Sequence, residues 1–375
     1  MRLMATCMIA ALVAVTAGCA KKKEEVKLPA PSEQYLARVI ECINHTEGII
    51  PEMTAPADSA AKRWAAGGKV YVTDDETINR TGEETVKMIA GAAASYPMRE
   101  DWGGFVAEAC DRAGGFRQIQ PVPVNLKVTA KDVVLAGTAE LHPDEQLAQL
   151  KTLKDAGALI IVFGSKIAKS ASVADFVIDN GLEAGVVPVM TASGDSLLGP
   201  VGPMANVINL WTFSAELIGA MNRLGKMPTL WQSMFVPGAD VRNAKIGKME
   251  FDTTAKIQPV EPGMLGRQYV ASARTSLESI KAGELPKFEQ AGTICADALK
   301  SGKKVVAGII GHFMVAQTRM PGYPNLFTAI PNLYGRGYLE GNLGAGDVFL
   351  HVGYSYNPVD ELAFVREVGA KSVAV

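Results

Sequence analysis

Hydrophobic and polar positions along this chain follow two alternating rhythms. From residue 33 to 47, Leu36, Val39, Ile40 and Ile43 recur at three- and four-residue steps behind Ser32, which predicts an amphipathic helix capped by that serine. A second helix is predicted from about Ala57 to Ala66; it stops at Gly67-Gly68 and feeds the short apolar run Val70-Tyr71-Val72. Asp132-Val133-Val134-Leu135 then leads through a polar turn and a helix over 143 to 156 to Gly157-Ala158 and the strand Leu159-Ile160-Ile161-Val162-Phe163. Two more short strands are predicted at 174 to 179 and 185 to 189, followed by a long helix over 205 to 222 that offers Ile208, Trp211, Phe213, Leu217, Ile218 and Met221 for burial. Strands that are apolar on both faces imply parallel pairing beneath helices on both sides.

The same order returns later. Gly283-Glu284-Leu285-Pro286, a helix through 295 to 300 and Gly302-Lys303-Lys304-Val305-Val306 repeat the opening unit. Gly48 and Gly283, Pro51 and Pro286, Ala61 and Ala296, Gly67 and Gly302, Lys69 and Lys304, and Val70 and Val305 all stand 235 positions apart, which reads as a duplicated unit. Asp347-Val348-Phe349-Leu350 then leads through Tyr354-Ser355-Tyr356-Asn357-Pro358, a helix and Gly369-Ala370 to a strand over 372 to 375. The expected fold is α/β: a doubly wound parallel sheet of the flavodoxin-like, three-layer kind, in two modules over 33–235 and 265–375 with a connector over 236–264. The second copy is expected to be truncated after its third strand, so that other strands or another subunit must cover its open edge; a homo-oligomer follows.

At the N-terminus, one positive charge at Arg2, an apolar run from Leu3 to Ala17 and small residues before Cys19 have the layout of a secretory signal. Val15-Thr16-Ala17-Gly18-Cys19 resembles the lipobox of bacterial lipoproteins, in which the cysteine is acylated and becomes the mature N-terminus. The resemblance implies a signal peptide over 1–18, lipid on Cys19, and a cell-envelope protein facing the periplasm or exterior. Residues 19–32, with Lys21, Lys22, Lys23, Glu24, Glu25, Pro29 and Pro31, then form a solvated tether. The plainer alternative is an apolar extension that packs or frays.

Composition narrows the chemistry. With 37 Lys and Arg against 39 Asp and Glu, there is no basic excess to neutralise a nucleic-acid backbone, so nucleic acid is excluded as the principal partner. Its five cysteines contain no C-x-x-C pair and its four histidines none at helical spacing, so no metal site is implied. Thr73-Asp74-Asp75-Glu76 after the opening strand lacks the glycines of a dinucleotide fingerprint, and no cofactor is expected.

The runs from Asp132-Val133-Val134 through Gly157-Ala158-Leu159 to Ala174-Asp175-Phe176-Val177-Ile178-Asp179, and from Gly346-Asp347-Val348 through Gly369-Ala370 to Val375, resemble the sugar isomerase (SIS) domain family of phosphosugar-binding proteins. Within that resemblance, a ligand sits beyond the carboxyl ends of the strands, among small residues, hydroxyls and backbone N–H groups. The turns that match are Thr73-Asp74 and Thr138-Ala139-Glu140-Leu141-His142 in the first copy, and Gly308, Gly311, His312, Ser355 and Asn357 in the second. Asp74, Asp75 and Glu76 would repel a phosphate, at about 1 kcal/mol per pair in a water-like medium. The resemblance implies a carboxylate or histidine as base, for which Glu140 and His312 are the candidates. His351, among apolar strand residues, reads as a core histidine. Aromatic and arginine residues over 320 to 345, including Phe327, Arg336 and Tyr338, read equally as a sugar-stacking loop or as a packed one. Three functions follow in order: a membrane-anchored binding protein for a sugar or sugar phosphate without catalysis, a scaffold with no small ligand, and an aldose–ketose phosphosugar isomerase.

Overall fold

A computed structural model of the chain describes residues 29–75, 104–109, 115–122, 128–140, 142–183, 189–190, 197–199, 201–233, 236–246, 249–309, 326–330, 336–353 and 357–374. Where the sequence predicts two helices, one helix, α1 (Pro31–Ala65), runs through both Pro51 and Pro56. Each proline removes a backbone donor and crowds the preceding turn. Burial outweighs that cost: Ile50, Met53, Ala57, Ala60, Ala61 and Trp64 are all at most 1% exposed.

The first sheet follows the expected order. After α1 come β1 (Val70–Asp74), a short helix α2 (Gly104–Ala109), β2 (Gln120–Pro121), β3 (Val133–Gly137), α3 (Pro143–Asp155) and β4 (Leu159–Gly164). A 3₁₀ turn over Lys169–Val173 leads to β5 (Phe176–Asp179). The strands lie in the order β2-β1-β3-β4-β5, all parallel. The two faces divide by alternation. Val70, Val72, Val133, Leu135, Leu159, Ile161 and Phe163 join the core shared with α1 and α2, while Tyr71, Val134, Ala136, Ile160 and Val162 pack with Leu150 and Leu153 of α3. Each such side chain, fully buried, contributes about 1.5–3 kcal/mol.

Of the predicted strand over 185 to 189, only Val189 is among the described residues. Residues 185–188 lie outside the described residues, and β6 (Val189–Met190) pairs antiparallel with β7 (Leu197–Leu198) as a separate two-stranded ribbon. The long helix α4 (Gly202–Arg223) then returns over the first core, where Phe213 meets Phe163 edge-on at 5.5 Å. Described residues between 228 and 252 pack on the first core: Phe251 lies 6.0 Å from Trp64, whose Nε1–H donates to Glu250 at 3.0 Å. The short helix α5 (Ala239–Ile246) lies within this stretch.

The second sheet is built from α6 (Met264–Gly283), α7 (Leu285–Lys300), β8 (Val305–Ile309), β9 (Thr328–Ile330), β10 (Val348–Val352), α8 (Val359–Glu367) and β11 (Lys371–Ala374), in strand order β11-β10-β8-β9, all parallel. Its core is also two-sided: Val305, Val348 and Val373 pack with Ala298 of α7, and Val306 and Phe349 pack with Phe364 and Val365 of α8.

Local contacts recur between the sheets. Val70 to Asp74 pair in register with Val133 to Gly137, as Val305 to Ile309 do with Val348 to Val352. Asp132 accepts from the backbone N–H of Lys69 at 2.7 Å and of Thr129 at 2.7 Å. Asp347 accepts from Lys304 at 2.9 Å and Gly344 at 2.8 Å. Both α3 and α8 are followed by a left-handed glycine, Gly157 at φ 92° and Gly369 at φ 71°, a conformation that a side chain would strain. The two sheets and their helices also differ. The helix continuous through Gly48 in α1 is broken after Gly283, where Pro286 opens α7. Among the described residues, nothing in the second sheet corresponds to β5 or α4, and Phe288 of α7 is 40% exposed where the matching Met53 of α1 is fully buried.

Candidate functional site

The carboxyl ends of β1, β3 and β4 bring several of the predicted residues together. Thr73, the fourth residue of β1, is 3% exposed, and its hydroxyl donates to Gln149 Oε1 of α3 at 3.0 Å. Asp74 and Asp75 are 2% and 0% exposed. Instead of projecting into solvent, Asp74 Oδ2 accepts from the N–H of Val106 in α2 at 3.3 Å, and Asp75 Oδ1 from the N–H of Ala139 at 2.9 Å. Gly137 ends β3 because the Phe105 ring lies against it; a Cβ there would stand 2.4 Å from that ring.

Thr138 is buried. Its backbone N–H donates to Phe163 at 3.0 Å, its carbonyl accepts from the Asn206 amide at 2.7 Å, and its hydroxyl accepts from the Glu140 N–H at 3.4 Å. Glu140 has φ 62°, the one positive φ at a non-glycine position among the described residues. Such a backbone costs of order 1–3 kcal/mol and persists only where its surroundings enforce it. Its Oε1 accepts from the Lys169 N–H at 3.2 Å. The Lys169 ammonium, 2.8 Å from Asp144, is pushed above the ordinary lysine range by its hydrogen bond to that carboxylate and by its charge. His142 precedes α3 without capping it through its side chain.

In the second sheet, Gly308 is buried in β8 and Asn357 is exposed just before α8. Gly311, His312 and Ser355 lie outside the described residues, as does Cys19 with the whole lipobox. His351 is 4% exposed in β10 with its ring 6.1 Å from that of Phe349, the position of a core histidine. Arg336 pairs with Glu340 at 2.8 Å and Glu367 at 2.7 Å and lies over Phe364. Phe327 packs against the α7 side of the second sheet. Both contacts tie described residues of this stretch, Phe327 and Arg336, to the elements of the second sheet.

A groove of ≈ 470 Å³ runs between α3 and the 3₁₀ turn, lined by Leu147, Lys166, Ile167, Lys169, Ser172 and Val177. Its two lysines are already paired, Lys166 with Asp179 at 3.3 Å and Lys169 with Asp144. Among the described residues no cluster of histidine, cysteine and carboxylate side chains has the arrangement of a metal site, and no helix is long and apolar enough to cross a membrane.

Several residues of this region escape the sequence reading. Gln146 is fully buried beneath the turn after β3, where its Nε2 donates to the Gly137 carbonyl at 2.6 Å. Its Oε1 has no hydrogen-bond partner among the described residues. Asn206 links the turn after β3 to Asn180 after β5, at 2.9 Å to the latter. Asn209 accepts from the Thr46 hydroxyl at 2.7 Å and donates to the Asp179 carbonyl at 2.9 Å. A readable signal existed: two asparagines three residues apart at the start of an otherwise apolar helix are buried only where carbonyls need donors.

No family model matches the chain, and no curated protein matches it by sequence. Solved structures with a similar arrangement include a protein from Salmonella typhimurium described as sugar-binding, with 11% identity, 90% of this chain and 86% of that one covered and a TM-score of 0.46. A second, from Bacillus subtilis and described as a phosphosugar isomerase, has 12% identity, coverage of 87% and 84% and a TM-score of 0.45. A third is the C-terminal domain of glucosamine-fructose-6-phosphate aminotransferase from Francisella tularensis, with 10% identity, coverage of 90% and 81% and a TM-score of 0.43.

Proposed function

We propose that the chain is a binding protein for a sugar derivative, anchored to a bacterial membrane by a lipid on Cys19, whose ligand sits at the carboxyl ends of β1, β3 and β4. The observation that carries this reading is the meeting of Thr73, Thr138 and Glu140, from two separate segments, at one end of a rigid parallel sheet whose turns place small and polar groups side by side. Binding without catalysis is favoured by the placement of Glu140: one oxygen of its carboxylate is already engaged by the Lys169 backbone N–H. The recurring register and the paired aspartate clamps support duplication, with modules over 33–235 and 265–375; a homo-oligomer that covers the open edge of the second sheet is part of the same proposal.

A thermal-shift panel on the full chain tests the reading. An amino sugar or a sugar phosphate raises the melting temperature; a flat response across the panel favours the scaffold without a ligand. Isomerase turnover on any sugar phosphate that disappears in Glu140→Gln would overturn the non-catalytic assignment. Anchoring is read separately: labelled palmitate enters the wild-type chain in bacteria and is absent from Cys19→Ser.

A further inference from the structure

We infer that the groove between α3 and the 3₁₀ turn is where a second, two-fold related copy of this chain docks, each copy seating its Ile167 in the groove of the other. The inference stands apart from the ligand reading and from the open edge of the second sheet. Val177, which lines the groove, belongs to β5, the outermost strand of the first sheet, so the groove lies at a sheet edge that another copy can reach. Leu147, Ala168, Ala171 and Val177 give its ≈ 470 Å³ an apolar lining with room for a branched aliphatic side chain. Ile167 stands on the same patch and is 73% exposed, more than any other large hydrophobic residue described. A lone exposed isoleucine needs no explanation. One that stands beside an apolar groove is a knob next to a hole, and a two-fold axis sets each knob over the partner's hole in a contact that closes on itself.

Charge selects the occupant. The turn side of the groove is basic, through Lys166 and Lys169, and the α3 side is acidic, through Asp144 and Glu145, all four exposed. Two-fold rotation lays the basic side of one copy on the acidic side of the other, twice over. The pairs already present, Lys166 with Asp179 and Lys169 with Asp144, involve exposed lysines, and ion pairs of that kind are weak enough to exchange partners. An anionic lipid surface would meet Asp144 and Glu145 together with the two lysines, so the patch fits a copy of itself better than a membrane.

The experiment is sedimentation equilibrium of the full chain over a range of concentrations, repeated on Ile167→Asp, on Asp144→Lys with Glu145→Lys, and on Lys166→Glu with Lys169→Glu. The wild type is expected to associate as concentration rises. Ile167→Asp, at a position open to solvent, should weaken association by about a hundredfold or more, because a two-fold contact loses the side chain twice. Each charge-reversed variant should associate more weakly than the wild type when alone, while an equimolar mixture of the two should associate more tightly than either. A wild type that stays monomeric overturns the inference, whether or not it sediments with phosphatidylglycerol vesicles. Association unchanged in Ile167→Asp also overturns it and leaves the open edge of the second sheet as the contact. So does a mixture no tighter than its components, each folded by circular dichroism. None of these outcomes bears on ligand binding, which the thermal-shift panel reads independently.

Discussion

Asp132 and Asp347 do the same work at the start of their strands, each gathering two backbone N–H groups from neighbouring segments. Hydrogen bonds to a charged acceptor are worth about 1.5–3 kcal/mol each, so Asp132→Ala should cost about 3–6 kcal/mol by urea denaturation, and Asp347→Ala a similar amount. Markedly unequal losses would show that the two clamps are not equivalent. At Glu140 the positive φ sets a different expectation: glycine there should be more stable than alanine by about 1 kcal/mol, because both lose the bond to Lys169 but only glycine relieves the backbone. Equal melting of the two variants would contradict that account. The sequence shows both aspartates, since each opens an apolar run, and it shows the acidic turn. What it does not show is that Asp74 and Asp75 point inward, because that depends on the N–H groups of Val106 and Ala139, 32 and 64 residues away.

The unequal covering of matching helices governs the element scale. Met53 lies under the first core, while Phe288, its counterpart in α7, remains 40% exposed. Met53→Ala should therefore cost about 2–5 kcal/mol, whereas Phe288→Ala should stay within about 0.5 kcal/mol; comparable losses by thermal unfolding would mean that α7 is covered in solution. Cysteine reactivity should follow the same division. Burial pushes the thiols of both Cys42 and Cys295 up, but Cys42 is 3% exposed and Cys295 half-buried, so an alkylating reagent should label Cys295 first in the native chain. Faster labelling of Cys42 would place an opening motion at α1. The strands were legible because their alternating positions are apolar on both faces. The joining of two predicted helices into α1 was not, since the local penalty of Pro51 and Pro56 is visible in sequence and the burial that overrides it is not.

Across the whole molecule, parallel order and the covering of both sheet faces follow from the uninterrupted apolar strands, and the offset of 235 positions marks the matching segments in advance. The missing parts are those set by distant contacts. The packing of Phe251 and Glu250 against Trp64 brings two residues of the predicted connector onto the first core. Val189, the last residue of a stretch that alone reads as another strand of the main sheet, lies in the antiparallel ribbon of β6 and β7. For the site, the hydroxyls and acids are readable as residue types, while their engagement by Gln149, Val106, Ala139 and Lys169 is a product of the fold.

The most direct test of a ligand site at the carboxyl ends of β1, β3 and β4 is amide hydrogen exchange on the full chain with and without saturating glucosamine. Slower exchange in peptides covering residues 73–75 and 137–142, with little change along α3 and α4, is the predicted result. Unchanged exchange in those two turns, or protection confined to other parts of the chain, would contradict it.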